Sequence, residues 1–227
     1  MASKCIHCKG EATPVWNTST NKFDTSIKTC QPCSETNTHW DYPFIYKEIF
    51  ARKSLQFFDK HPEYPIGFHN TDRSRSHLFP KAEAWEPQDD KCGLILHGET
   101  GGGKSRAAWL TFNKLWLRHY PDRCLFLQMR KFEGLIEKGF DDRDHGKVLD
   151  ILISCPVLVL DDLGKERLTQ RLESDLFAVL DERTSNLRTT IITTNYTGDK
   201  LVDRFQNKET GVALVRRLRD YFVAISA

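Results

Sequence analysis

Residues 98–105, Gly98-Glu-Thr-Gly-Gly-Gly103-Lys104-Ser105, are spaced to hold a triphosphate. They fit the pattern G-x-x-x-x-G-K-[ST] without exception. Glycine is needed where backbone N–H groups turn inward around phosphate oxygens, because a side chain there would clash. That role falls to Gly98, Gly101, Gly102 and Gly103. A helix opening near Lys104 would point its positive end at the same oxygens. Lys104 is then placed to reach the β- and γ-phosphates, and the Ser105 hydroxyl to ligate Mg2+. The bland alternative is a glycine-rich turn with a chance lysine. The apolar run before the loop and the amphipathic run after it argue against that.

Two further positions complete the pattern. The apolar run Val157–Leu160 ends in Asp161-Asp162. An aspartate at the tip of a buried strand can hold magnesium, directly or through water, which is the role expected of Asp161. Asp162 beside it is placed to act as general base on the attacking water. Standing alone, the pair would read equally as a polar strand end or a helix N-cap. Asn195 closes the next apolar run, Thr190–Thr194, where an amide can orient water and sense the γ-phosphate. A turn asparagine is the alternative there.

A second chemistry sits at the N-terminus. Cys5-Ile-His-Cys8 and Cys30-Gln-Pro-Cys33 form two CxxC pairs. Four thiolates at this spacing favour structural Zn2+, with each pair wrapping one side of a tetrahedral ion and a β-hairpin between them. A short polar segment cannot build its own core and needs the metal to fold. His7 and His39 are surplus to a site that four cysteines already fill. Cys92, Cys124 and Cys155 lie in or beside apolar runs and read as core residues.

The elements that must position these residues alternate. Gly93–His97, Cys124–Met129, Val157–Leu160, Thr190–Thr194 and Tyr221–Ile225 read as strands, and their continuous apolarity implies a parallel sheet covered on both faces. Helical spacing marks Lys104–His119 and Lys165–Arg188, the latter through Leu168, Leu172, Leu176, Val179 and Leu180. The fold class is therefore α/β. Three segments follow: a zinc module over 1–36, an aromatic helical connector over 37–66 and an ATPase domain over 67–227. Residues 67–91, with Pro80 and Pro87, read as a linker entering that domain. The aromatic stretch (Trp40, Phe44, Tyr46, Phe50) either packs on the module or extends a partner contact.

The 227 residues are 39% hydrophobic and 28% charged, with a net charge of +2. Any nucleic-acid contact must therefore come from local patches, not from a global field. Arg130, Lys131 and Lys138, and Lys165, Arg167 and Arg171, could form such a patch or simply solvate a surface. The longest apolar stretch, around Ile151–Leu160, is too short to span a bilayer, and the N-terminus lacks a secretion signal. A cytoplasmic location and no membrane partner are expected. In that reducing compartment the seven cysteines are not expected to form disulfides.

The run Val157-Leu-Val-Leu-Asp-Asp-Leu-Gly-Lys165-Glu166, followed by Thr193-Thr194-Asn195, resembles the AAA+ ATPases of the bacterial DnaC/DnaI helicase-loader type, close relatives of the IstB transposition helpers. His97–Trp109 is similar to phage-encoded members. The resemblance covers roughly residues 65–227. It implies a five-stranded P-loop sheet without a C-terminal lid, in which the Asn195 strand lies between the strands carrying Lys104 and Asp161. It also implies ATP hydrolysis, a homo-oligomer, and an arginine acting on the neighbouring subunit's ATP, matched here by Arg217 with Arg216 and Arg219 beside it. Partners implied are a hexameric replicative helicase, engaged through the zinc module, and single-stranded DNA. The rival expectation is an IstB-like helper that binds duplex DNA and recruits a transposase. A third is a zinc-stabilised adaptor that binds ATP and scarcely hydrolyses it.

Overall fold

The computed structural model describes residues 15–17, 22–24, 65, 78–118, 124–165 and 167–227. The chain divides into two compact units, Met1–Leu55 and Gln56–Ala227. In the first, β1 (Val15–Asn17) and β2 (Lys22–Asp24) pair antiparallel, Val15 opposite Asp24. This hairpin falls between the two cysteine pairs. Cys5, Cys8, Cys30 and Cys33 themselves, and the helical connector expected over 37–66 apart from Pro65, lie outside the described residues.

The second unit is built on five parallel strands: β3 (Gly93–His97), β4 (Leu125–Gln128), β5 (Val157–Leu163), β6 (Thr189–Thr194) and β7 (Phe222–Ser226). Their order across the sheet is β4-β5-β6-β3-β7. Successive residues along a strand point to opposite faces, and in β3, β5 and β6 both faces are buried. Leu158, Leu160 and Ile192 enter one apolar cluster, while Val157, Val159 and Ile191 enter the other. This is why the strands read as unbroken apolar runs instead of alternating ones.

Helices cover the two faces unequally. The first cluster is roofed by α3 (Met129–Asp141), α4 (His145–Ser154), α5 (Gln170–Ser185) and α7 (Lys208–Tyr221), with the short α6 (Asp199–Val202) supplying Leu201. The second is roofed by α1 (Leu78–Ala84) and α2 (Lys104–Arg118). Among the described residues, no helix is long and apolar enough to cross a membrane.

Two expectations change. Residues 78–84 are a helix, not linker. Leu78, Phe79 and Ala82 are buried, and Thr111 and Lys114 of α2 donate to the carbonyls of Ala82, Glu83 and Trp85. Pro80 is compatible because it stands in the first turn, where its missing N–H costs no helical bond. The run Lys165–Arg188 is helical only from Gln170. Its N-cap, Thr169, accepts from the Leu172 N–H at 3.3 Å, and β5 continues through Leu163 before Gly164 turns the chain at φ 81°.

At the sheet end away from the phosphate loop, the fully buried Arg183 ties helix to strand. Its guanidinium donates to the carbonyls of Leu152, Ile153, Cys155 and Thr189 and to the Thr190 hydroxyl. The last carbonyls of α4, which have no partner within their own helix, are satisfied in this way.

Candidate functional site: a phosphate loop faced by two carboxylates

The loop between β3 and α2 has the backbone its sequence demands. Gly98, Gly101 and Gly103 adopt φ of 139°, 89° and 82°, a region that side chains disfavour. Gly102 is required for space instead: a Cβ there would lie 2.7 Å from the Ala227 Cβ. Lys104 is 6% exposed and donates to the carbonyls of Gly98 at 3.0 Å and Glu99 at 2.7 Å, so its ammonium lies inside the curl of the loop. Burial pushes its pKa down, opposed by the Asp162 and Asp161 carboxylates. Those two charges are therefore close enough to be felt.

Asp161, 3% exposed, closes the site from β5. The hydroxyls of Thr193 and Ser105 both hydrogen-bond its carboxylate, Thr193 donating at 2.6 Å. Burial nevertheless raises its pKa above the ordinary aspartate value. Ser105 and Asp161, the two residues expected to share a magnesium ion, thus touch each other. A hydroxyl and a buried carboxylate are the oxygen donors that Mg2+ takes, usually beside substrate phosphates and water.

Asp162 is placed by a break in the sheet. The β5–β6 register slips between Leu160 and Leu163, and Asp162 takes φ 66°. A non-glycine residue held there carries local strain and is fixed by its surroundings. Its N–H donates to Thr193 Oγ1 at 2.8 Å, so a single threonine hydroxyl serves both aspartates. Its carboxylate pairs with Lys165 Nζ at 2.9 Å. That pair is half-exposed and contributes less than about 1 kcal/mol to stability.

Asn195 follows β6, which lies between β3 and β5, the order the resemblance implied. Its amide donates to Thr100 of the loop at 3.3 Å. The loop, both carboxylates and this amide therefore converge at the C-terminal ends of neighbouring strands, where open α/β sheets bind ligands. Beside them opens a cleft of about 310 Å³, lined by Ser105, Gln128, Lys131, Asp161, Asp162 and the stacked rings of Trp109 and Phe126. Arg217 is placed differently. Its guanidinium pairs with Asp181 of α5 at 2.5 Å and lies near Tyr221. Arg216, largely exposed, pairs with Asp220.

Sequence reasoning missed Thr193 and Lys165 as parts of this site. The signal for Thr193 was a hydroxyl two residues before Asn195, in a strand that is buried throughout. Lys165 needed the turn geometry.

Residues 81–225 match the family described as IstB-like ATP binding protein. The replicative helicase loader DnaI of Bacillus subtilis strain 168 is 27% identical over 120 residues, 52% of this chain and 38% of that protein. A Pseudomonas fluorescens protein of insertion sequence IS1162, described as ATP-binding, is 31% identical over 100 residues, 44% of this chain and 42% of that one. The chain thus spans about two-fifths of the length of these curated relatives. Among solved structures, the crystal structure of the DnaC helicase loader superposes with a TM-score of 0.54 at 26% identity, covering 66% of this chain and 85% of that one. The fold is that of an AAA+ P-loop NTPase, and the chain belongs to the IstB-like ATP-binding protein family.

Proposed function

We propose that this chain binds ATP with Mg2+, hydrolyses it, and acts as a loader that helps place a hexameric replicative helicase on single-stranded DNA in the bacterial cytoplasm. The observation that carries the catalytic part is the buried Asp161 carboxylate, hydrogen-bonded by Thr193 and Ser105 and felt electrostatically by the loop lysine. Backbone N–H groups of residues 98–105 bind the phosphates, and Lys104 moves from the loop carbonyls onto the β- and γ-oxygens. Ser105 and Asp161 would hold the magnesium ion, which would supply positive charge against the γ-phosphoryl group. Asp162 accepts a proton from the attacking water while Asn195 orients it. Arg217 exchanges Asp181 for the γ-phosphate of a neighbouring subunit, so that hydrolysis waits for assembly.

The loader reading is favoured by the likeness to the two loaders and by a hairpin lying between two CxxC pairs. In this reading Cys5, Cys8, Cys30 and Cys33 hold Zn2+, and residues 1–36 dock on the helicase. Metal analysis of the purified full chain should find one zinc, reduced in a Cys8→Ser variant.

A second reading is favoured by the insertion-sequence relative: a helper that coats duplex DNA and recruits a transposase. Affinity purification from host cells, followed by loading of purified helicase onto single-stranded DNA, separates the two. Recovery of helicase and ATP-dependent loading are expected. Filaments on duplex DNA with no affinity for helicase would overturn the loader reading in favour of the helper.

A further inference from the structure

We propose that Arg204 is a positioning residue for hydrolysis, a clamp that holds the turn carrying Asp162 in its reactive shape. The inference rests on the hydrolytic reading above and goes beyond it, because Arg204 touches no phosphate-binding group.

The turn needs holding. Asp162 has left the β5–β6 ladder, at φ 66°, and Gly164 follows at φ 81°. The strained Asp162 backbone relaxes unless neighbours fix it, and Gly164 two residues on lets the chain turn without holding it. On the upstream side the Asp162 N–H is held by Thr193 Oγ1. On the downstream side Arg204 provides the fixation: its Nε donates to the Gly164 carbonyl at 2.6 Å and its Nη2 to the Lys165 carbonyl at 3.0 Å. A planar fork that takes two successive carbonyls sets their relative orientation, which an ammonium cannot do. The Lys165 side chain then returns to the Asp162 carboxylate at 2.9 Å.

The same guanidinium lies 5.1 Å from the centre of the Tyr196 ring, next to Asn195. Gly164 is wedged among Leu201, Tyr196 and Arg204, where an added Cβ would lie 3.1–3.3 Å from all three. Arg204 thus bridges the ends of β5 and β6, the two strands that deliver the proposed base and the proposed water-orienting amide. Its loss leaves the loop glycines and Lys104 untouched and loosens Asp162 against Asn195.

The test compares wild type, Arg204→Lys and Arg204→Ala as full-length chains. Turnover of Mg-ATP, affinity for a fluorescent ATP analogue, and hydrogen–deuterium exchange over residues 160–166 are measured together. Loss of a supporting partner around a metal-centred site costs about 10- to 100-fold. A fall of that size in kcat is expected for Arg204→Ala, with analogue affinity within about threefold of wild type, faster exchange over the turn, and little rescue by lysine, whose ammonium cannot orient both carbonyls. Unchanged exchange over 160–166, or unchanged kcat beside faster exchange, would overturn the clamp. So would equal losses of kcat and nucleotide affinity. If wild type itself turns over no faster than Lys104→Ala, the hydrolytic reading fails, and the catalytic role of Arg204 falls with it.

Discussion

The Thr193 hydroxyl hydrogen-bonds to both aspartates, and removing it while keeping its shape isolates what it does. Thr193→Val retains the branched side chain of a fully buried position and deletes a hydrogen bond to each of Asp161 and Asp162. The Asp161 carboxylate keeps Ser105 as a donor and stays buried. An unsatisfied buried partner costs about 1–3 kcal/mol, and more when charged. Two such losses amount to about 2–6 kcal/mol, and release of Asp162 from its strained φ returns about 1 kcal/mol. The net expectation is a destabilisation of about 1–5 kcal/mol, measured by urea denaturation of full-length protein with coincident fluorescence and circular dichroism transitions. Magnesium-dependent nucleotide affinity should weaken as well, because the Asp161 carboxylate loses a donor that favours its ionised form. Thr193→Ser should restore both. A valine variant within about 0.5 kcal/mol of wild type, with unchanged magnesium dependence, would refute the shared-hydroxyl reasoning.

The pKa of Asp161 is raised in the fold, so its neutral form favours folding below the unfolded value, and that contribution is lost as pH rises through the folded value. Asp161→Asn should therefore raise the melting temperature at pH 7, with the gain shrinking on acidification, while abolishing magnesium-dependent tightening of nucleotide binding. A lower melting temperature at pH 7 would contradict the burial argument. For wild type, that tightening should fade on acidification at a pH above the aspartate reference of 3.8. Gly102→Ala should weaken analogue binding at least about tenfold, since its Cβ has no room beside Ala227 and Glu99. Arg217→Ala should leave analogue affinity within about twofold and lower turnover by at least about a hundredfold, only at concentrations where the chain assembles. Normal turnover there would remove Arg217 from catalysis.

The strands β3 and β5 were legible because burial on both faces writes itself as a short unbroken apolar run, and β6 because its Thr and Ile are β-branched strand formers. Residues 98–105 were legible because the loop needs glycines and a lysine at fixed offsets. The position of the Asn195 strand between β3 and β5 came from resemblance alone, since strand order leaves no local trace. The helix over 78–84 was hidden by Pro80, whose tolerance depends on standing in the first turn. Thr193 and Arg204 were hidden for a different reason. Their value lies in reaching atoms 31 and 40 positions away in the chain, the Asp162 N–H and the Gly164 carbonyl. Arg183 is similar: a buried cation satisfied by backbone carbonyls has no acidic partner in the sequence to betray it.

The most direct test of the central claim is titration of a fluorescent ATP analogue into wild type, Lys104→Ala and Asp161→Asn, each with Mg2+ and with EDTA. The site described here predicts saturable binding to wild type that tightens with Mg2+, loss of binding in the lysine variant, and magnesium-insensitive binding in the aspartate variant. Equal affinity in all three proteins, indifferent to Mg2+, would contradict it.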